Sequence, residues 1–524
     1  MESNPLKSKQ NIKILYIRPP YHLWPLLNKS DNVLAPLNLA TIAGYIRSKV
    51  PDVTQKIVDC CNEEIGFKTL YKILEEEKPD IVGVGDMICY HIEGAKTLEL
   101  AKKANPNCIT VAGGPFFSHV PEYTLNNFPH IDFIVRYEGE ESFRELIDCL
   151  REDKDVKQVK GIAYKEDEKI IETPPRPLIE DLDSLPYPAY DLLNVNNYSP
   201  FGMFLRRAMP AQASRGCLFG CEYCTWSHTE GEHFLDENGE LKFTPRIRYK
   251  SPERMAEEIG YLHEKWNVPF FFWCDGTWNF STEWQDTFSD LILAKKYKIK
   301  SFAFTRADLL LEQEKAGVLA KMVKAGLIHC LFGPERATDE ELKKIGKKGI
   351  SANTFIECCH MLEKKYPQVF RQATFITGLP DDKPEDFDKL FEYILKSHVD
   401  FAPVHAIMPY PGTPSFEKYK EYIEEWDFSK WDMFYPVIRT KYMSREEVSS
   451  HIKRIQMDFV SKQKIKYLKG LLSPHTQRRR LHWWLAYSFA KLYIRDFVLA
   501  LLGKKKYEGY AGIQKLWKPK WYDS

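Results

Sequence analysis

The chain has 524 residues, room for two or three domains, and its 44% apolar and 28% charged residues are those of an ordinary globular protein. Lys plus Arg number 74 against 73 Asp plus Glu, so there is no overall basic field and nucleic acid is not an expected partner. The first ten residues are polar and lack the apolar stretch of a secretion signal. Twelve scattered cysteines then fit free thiols and a metal site in a reducing cytoplasm better than a disulfide framework.

Short Ile- and Val-rich runs bounded by Pro, Gly or Asp predict strands at 12–19, 55–60, 80–87, 108–113 and 132–137. Helices are predicted between them near 37–49, 68–77, 92–104 and 140–151. Five such units predict an α/β fold whose first part, 1–150, is a doubly wound, flavodoxin-like parallel sheet. Residues 151–207 break the rhythm with Pro174, Pro175, Pro177, Pro186 and Pro188, and predict a connector with one hairpin. A second alternation predicts strands at 211–215, 269–274, 301–306, 329–333, 371–377 and 401–408. Six βα units suit a partial (β/α)6 barrel over 208–430 better than a second open sheet. From 431 to 524 the pattern is mostly helical. The most apolar run, 481–503, is interrupted by Lys491, Arg495 and Asp496, so a membrane-spanning helix is not expected.

The sharpest local signal is Ser214-Arg-Gly-Cys-Leu-Phe-Gly-Cys-Glu-Tyr-Cys-Thr225. Cys217, Cys221 and Cys224 on one short loop can hold three irons of a [4Fe–4S] cubane and leave the fourth iron open for chemistry. S-adenosylmethionine (SAM) can chelate that iron, and an electron then cleaves it to a 5′-deoxyadenosyl radical. Gly216 and Gly220 allow the tight loop. The alternatives are a zinc site completed by His228 and three free cysteines. The other nine cysteines read as core thiols.

Around this motif the chain resembles the radical SAM superfamily. The resemblance implies that the backbone of Tyr223, the aromatic before the third cysteine, contacts adenine. It further implies SAM-binding roles for Thr305, Arg306 and, in Gly333-Pro-Glu335-Arg336, Glu335; Asp308 lies in the same region. Arg336 departs from the Gly-x-Glu-Ser pattern. Phe375-Ile-Thr-Gly-Leu-Pro380 and Pro409-Tyr-Pro-Gly-Thr-Pro414 resemble the ends of the fifth and sixth strands, with Gly378 a further SAM contact. The plain reading of Gly378 and Gly412 is turn chemistry, and that of Glu335 and Arg306 is an internal ion pair.

The first 150 residues resemble the cobalamin-binding domain fused to many such enzymes. The resemblance rests on Arg18-Pro-Pro-Tyr21, Pro36-Leu-Asn-Leu-Ala40, Pro79-Asp-Ile-Val-Gly83, Ala112-Gly-Gly-Pro115 and Tyr137-Glu-Gly-Glu140. It implies cobalamin contacts from Pro20, Tyr21, Leu37, Gly113, Gly114, Pro115, Glu138 and Gly139. The Asp-x-His-x-x-Gly motif is absent and His22 stands outside such a frame, so no histidine ligand to cobalt is expected. Phe116 stands where relatives often carry His.

The expected function is a cobalamin-dependent radical SAM methyltransferase acting on an unactivated carbon or another poorly nucleophilic centre. The expected partners are a small-molecule or lipid-like substrate and an electron donor such as flavodoxin or ferredoxin. The alternatives are an oxidative cyclase or lipid- or tetrapyrrole-modifying enzyme with the same cofactors, and a non-catalytic corrinoid or iron–sulfur carrier. At the C-terminus, Arg478, Arg479, Arg480, Trp483 and Trp484 before an apolar helix, and Lys504, Lys505 and Lys506 after it, suit peripheral contact with an anionic membrane. The favoured alternative is a helix packed on the barrel with solvated ends.

Overall fold

The structure is a computed structural model, and it describes residues 4–21, 34–85, 87–198, 207–504 and 519–524. His22, Lys505 and Lys506 lie outside the described residues. Strands β1 (Ile12–Arg18), β2 (Val53–Asp59), β3 (Ile81–Gly85), β4 (Ile109–Gly113), β5 (Phe133–Val135), β6 (Ile162–Glu166) and β7 (Lys169–Glu172) form one sheet in the order β2-β1-β3-β4-β5-β6-β7. The first five strands run parallel, with β1 beside both β2 and β3. β1 is almost wholly buried, as a strand with helices on both faces must be. Those helices are Leu37–Lys49, Phe67–Glu77, His91–Ala104 and Gly139–Arg151. The hairpin expected in the connector is β6–β7, and it extends this sheet antiparallel to β5.

The second part carries β8 (Ala208–Ala211), β9 (Ser214–Gly216), β10 (Glu232–Leu235), β11 (Leu241–Thr244), β12 (Ile247–Tyr249), β13 (Phe270–Trp273), β14 (Lys300–Thr305), β15 (Leu327–Glu335), β16 (Phe370–Thr377) and β17 (Val404–Ala406). Six of them make a parallel sheet in the order β17-β16-β15-β14-β13-β8, the partial barrel. The first barrel strand is not the predicted 211–215. β8 ends at Ala211, and β9 pairs antiparallel with β12 instead. The buried Asp275 carboxylate accepts the amide and the hydroxyl of Ser214, which keeps that amide from a barrel neighbour.

The N-terminal mouth of the barrel is filled by Phe270, Phe272, Phe302, Ile328 and Phe370. The long helix Thr476–Leu501 closes this mouth by packing Leu481 and Leu485 onto that cluster. Its first turn is fixed by Arg478, which bonds the Pro367 carbonyl (2.6 Å) and the buried Asp400 carboxylate (2.6 Å). Arg371 and Lys466 converge on the same carboxylate. The expected basic triad at 478–480 is corrected accordingly, because Arg478 is an interior ion-pair partner and not a solvated flank. Residues 519–524 return to the first domain, where the amides of Lys68 and Thr69 donate to the Ser524 carbonyl and the Tyr522 hydroxyl to Glu93. No helix among the described residues is long and apolar enough to cross a membrane.

Candidate functional site

The three cysteines leave the C-terminal side of β8 by way of Gly216, whose φ of +82° suits glycine. A Cβ there would stand 2.0 Å from the Arg246 carbonyl oxygen. The Gly216 amide donates to Glu230 Oε2 (2.7 Å), and Trp226 Nε1 donates to the same oxygen (2.8 Å), which anchors both ends of the loop. The Arg306 guanidinium lies 3.3 Å from the centre of the Phe219 ring, between the first two cysteines. Cys217 Sγ is 3.6 Å from Thr277 Oγ1, and all three thiols are free. Burial pushes the thiols of Cys221 and Cys224 up, Cys224 to about 11, and each feels its neighbouring cysteines. These groups hold their protons until a metal displaces them, as cluster ligands do.

The donor set fits a cubane better than zinc. No three His, Cys, Asp or Glu among the described residues converge on one ion. His228 Nδ1 faces the Cys224 carbonyl (2.9 Å), and its ring stacks on Phe243. It is therefore committed elsewhere, whereas thiolates on a cubane bind separate irons and stand farther apart.

Glu335 lies beside this loop in the left-handed region, with φ +63°. A non-glycine residue there is strained, and such strain concentrates at functional sites. Gly333 makes the geometry feasible, since a Cβ there would meet the Glu335 carboxylate at 2.2 Å. The buried Glu335 carboxyl is pushed up by burial, against Lys347 and the Tyr223 hydroxyl that bonds it. Lys347 Nζ lies 3.5 Å from Glu335 and 3.4 Å from the Tyr223 oxygen. Thr305, Arg306, Gly333, Pro334 and Lys347 line one small cavity. Tyr223, Thr305, Arg306 and Glu335 therefore gather around the cysteine loop.

The expected ion pair between Glu335 and Arg306 does not form. Arg306 makes a two-pronged bond to Asp308 (3.0 and 2.7 Å), a partner two residues away, while Lys347 takes Glu335. Arg336, the departure from the family pattern, is buried on Asp382 and Glu341. The Gly378 amide donates to the same Asp382, which is the turn role. Lys347 escaped sequence reasoning because it sits among Lys343, Lys344 and Lys348, a run that reads as a solvated surface.

At the C-terminal edge of the first sheet, Gly85 and Gly113 are register partners ending β3 and β4. Gly114 follows at φ +98°, and Pro115 opens the helix Pro115–His119. Both strand-end glycines let other parts of the chain approach closely: a Cβ at Gly85 would meet Asn38 Nδ2 at 2.4 Å, and one at Gly113 the Val135 carbonyl oxygen at 3.3 Å. The C-terminal edge of such a sheet is where its ligands bind. Leu37 lines a second small cavity, shared with Pro186, Gln212 and Arg215. Pro20 is buried, and Tyr21 stacks on Tyr90 with its hydroxyl bonded to Arg18. Gly139 makes room for Ile42 and Val135.

Glu138 has another occupation. Its buried carboxylate takes Arg215 (2.9 Å) and Arg248 (2.8 Å), and Glu140 takes the other arm of Arg215. Burial alone would raise the Glu138 carboxyl, but Arg215 and Arg248 hold it below its usual range. Arg215 stands two residues before Cys217, so this clamp joins the first sheet to the cysteine loop. His119 crosses the same seam to Thr229 Oγ1 (3.1 Å). Gly412 is needed for it as well as for its turn, because a Cβ there would meet the His119 ring at 2.1 Å.

Residues 23–147 match the B12 binding domain family, and residues 212–394 match the Radical SAM superfamily. The chain is 30% identical over 471 residues to the uncharacterized methyltransferase PH0819 of Pyrococcus horikoshii, covering 88% of this chain and 95% of that one. The chain belongs to the cobalamin-binding radical SAM enzymes. Another relative is the anaerobic magnesium-protoporphyrin IX monomethyl ester cyclase of Synechocystis sp., 28% identical with 97% of each chain covered. The cobalamin-dependent SAM radical enzyme OxsB, solved with aqua-cobalamin and SAM, has the same fold. Its TM-score is 0.66 at 15% identity, covering 97% of this chain and 78% of that one. As a cobalamin-binding radical SAM enzyme, this protein uses a [4Fe–4S] cluster, SAM and cobalamin, acts on a small molecule and requires a reductant.

Proposed function

We propose that this enzyme transfers a methyl group to an unactivated carbon or another poorly nucleophilic centre. The carrying observation is the clamp of Glu138 and Glu140 on Arg215, which holds the glycine-edged sheet against the cysteine loop. When bound, the cluster and SAM supply a carbon-centred oxidant and cobalamin supplies a methyl donor. The chain's own residues then bind, align and shield. Cys217, Cys221 and Cys224 hold the cluster. The Tyr223 backbone, Thr305, Arg306, Glu335 and Gly378 shape the SAM side, with Lys347 offering its ammonium to a carboxylate. Gly113, Gly114 and Pro115 form the corrinoid cradle, with Pro20, Tyr21 and Leu37 beside it. Glu138 and Gly139 serve that cradle indirectly, by docking and packing. The domains divide as 1–150, 151–207, 208–430 and 431–524, with the connector hairpin added to the first sheet. The electron donor is of the flavodoxin or ferredoxin type, the substrate is a small or lipid-like molecule, and the enzyme works in the cytoplasm.

Anaerobic turnover with candidate substrates, counting S-adenosylhomocysteine and 5′-deoxyadenosine separately, tests this. Methyl transfer yields both products in step with methylated substrate. Deoxyadenosine without S-adenosylhomocysteine supports the second reading, an oxidative cyclase, which the full-length likeness to the Synechocystis enzyme favours. Cys217→Ala, Cys221→Ala and Cys224→Ala each lose iron and both products. Full iron content in the triple variant contradicts the assignment.

A further inference from the structure

The helix Thr476–Leu501 has two apolar faces, and the barrel uses one of them. Leu481, Leu485 and Ser488 are buried. Trp483 begins a second stripe two residues on, about 200° around the helix. It continues through Tyr487, Ile494, Phe497 and Leu501 at helical spacing. This stripe is uncovered: Trp483 is 55% exposed, Ile494 64%, Phe497 65% and Leu501 71%. The preceding helix, Lys464–Leu471, also exposes Ile465 and Leu468, and Leu472 follows it at 80% exposure. The two helices pack together where Gly470 meets the His482 ring. Exposed apolar surface of this kind marks an interaction site.

The charge pattern selects the occupant. Between 464 and 504 there are nine Lys and Arg and one acid, Asp496. Lys466 and Arg478 are spent on Asp400. Lys464, Lys469 and Lys504 are exposed, and Lys491 lies over the Tyr487 ring at the edge of the stripe. A second copy of this surface would bring like charges together, whereas an anionic bilayer offers apolar depth beneath a negative headgroup layer. We propose that these two helices are a docking face for an anionic lipid surface, lying in its interface without crossing it.

The proposal stands independently of the methyl-transfer reading, because it is tested by binding and not by turnover. Reconstituted full-length enzyme is sedimented with vesicles of phosphatidylcholine, with and without phosphatidylglycerol, at low and high salt. Expected is co-sedimentation with anionic vesicles at low salt and release by salt. The Arg480→Gln, Lys491→Gln, Lys504→Gln triple variant binds about a hundredfold more weakly, from the usual contribution of each basic residue near an anionic leaflet. Ile494→Glu with Phe497→Glu abolishes binding while iron content and elution volume stay those of wild type. Wild type remaining in the supernatant with anionic vesicles overturns the proposal. So does a wild-type dimer that the glutamate variant dissolves without any vesicle binding, which would give the face to a second copy.

Discussion

His329 shows what a single buried residue contributes to the pH response. Its ring sits edge-on between Phe302 and Phe370, with Nε2 3.0 Å from Gln372 and no partner at Nδ1 among the described residues. Burial lowers its pKa to about 3, against Gln372 and the more distant Asp400. The unfolded chain takes up this proton near pH 6.5 and the folded one does not, so folding stability falls as pH drops from 6.5 towards 3. At pH 5 the site costs about 2 kcal/mol. His329→Phe should reduce by that amount the loss of apo-protein stability between pH 7 and pH 5 in urea unfolding. An unchanged difference between the two pH values would refute the assignment. The cysteines were legible in the sequence because three ligands fall within eight consecutive residues. Tyr223 and Glu335 were also marked by their motifs, but their partner Lys347 was not, because Lys347 and Tyr223 are 124 positions apart and nothing local marks Lys347 as buried.

Among the elements, β9 matters most for placing the site. Its Arg215 bridges two carboxylates at the start of the helix Gly139–Arg151 while its last residue, Gly216, releases the cysteine loop. Arg215→Lys keeps the charge but loses the fork that reaches both acids. It should retain four irons per chain on the cubane assignment, yet lower methyl transfer more than deoxyadenosine release. Equal loss of both products would show that the bridge supports the cluster loop alone. The strands of both sheets were visible because β3, β5 and β13 are continuous apolar runs. β9 was merged with β8 in sequence, since Gln212 and Ser214 interrupt the run too weakly to reveal a turn. That turn depends on Asp275, which no local pattern predicts. Likewise, Tyr137-Glu-Gly-Glu140 carried a family likeness that pointed to a ligand, whereas its acids meet a distant arginine.

The molecule as a whole is tied together by Asp400, where Arg371, Lys466 and Arg478 meet. Burial alone would raise this carboxyl, but the three cations hold it well below the usual carboxylate range. Its stabilisation is complete above about pH 4 and is lost as pH falls through the depressed value. Asp400→Asn leaves three cations without their counter-charge, a change of the kind that costs about 3–5 kcal/mol. Thermal unfolding should show that loss first in the C-terminal helices, read as early protease cleavage near 464–480. Cleavage unchanged from wild type would place the cluster outside the cohesion of the C-terminal region. The helix held in this way seals one end of the barrel with Leu481 and Leu485. A reaction chamber stoppered in this way is sheltered from water on that side, where a radical would otherwise be quenched.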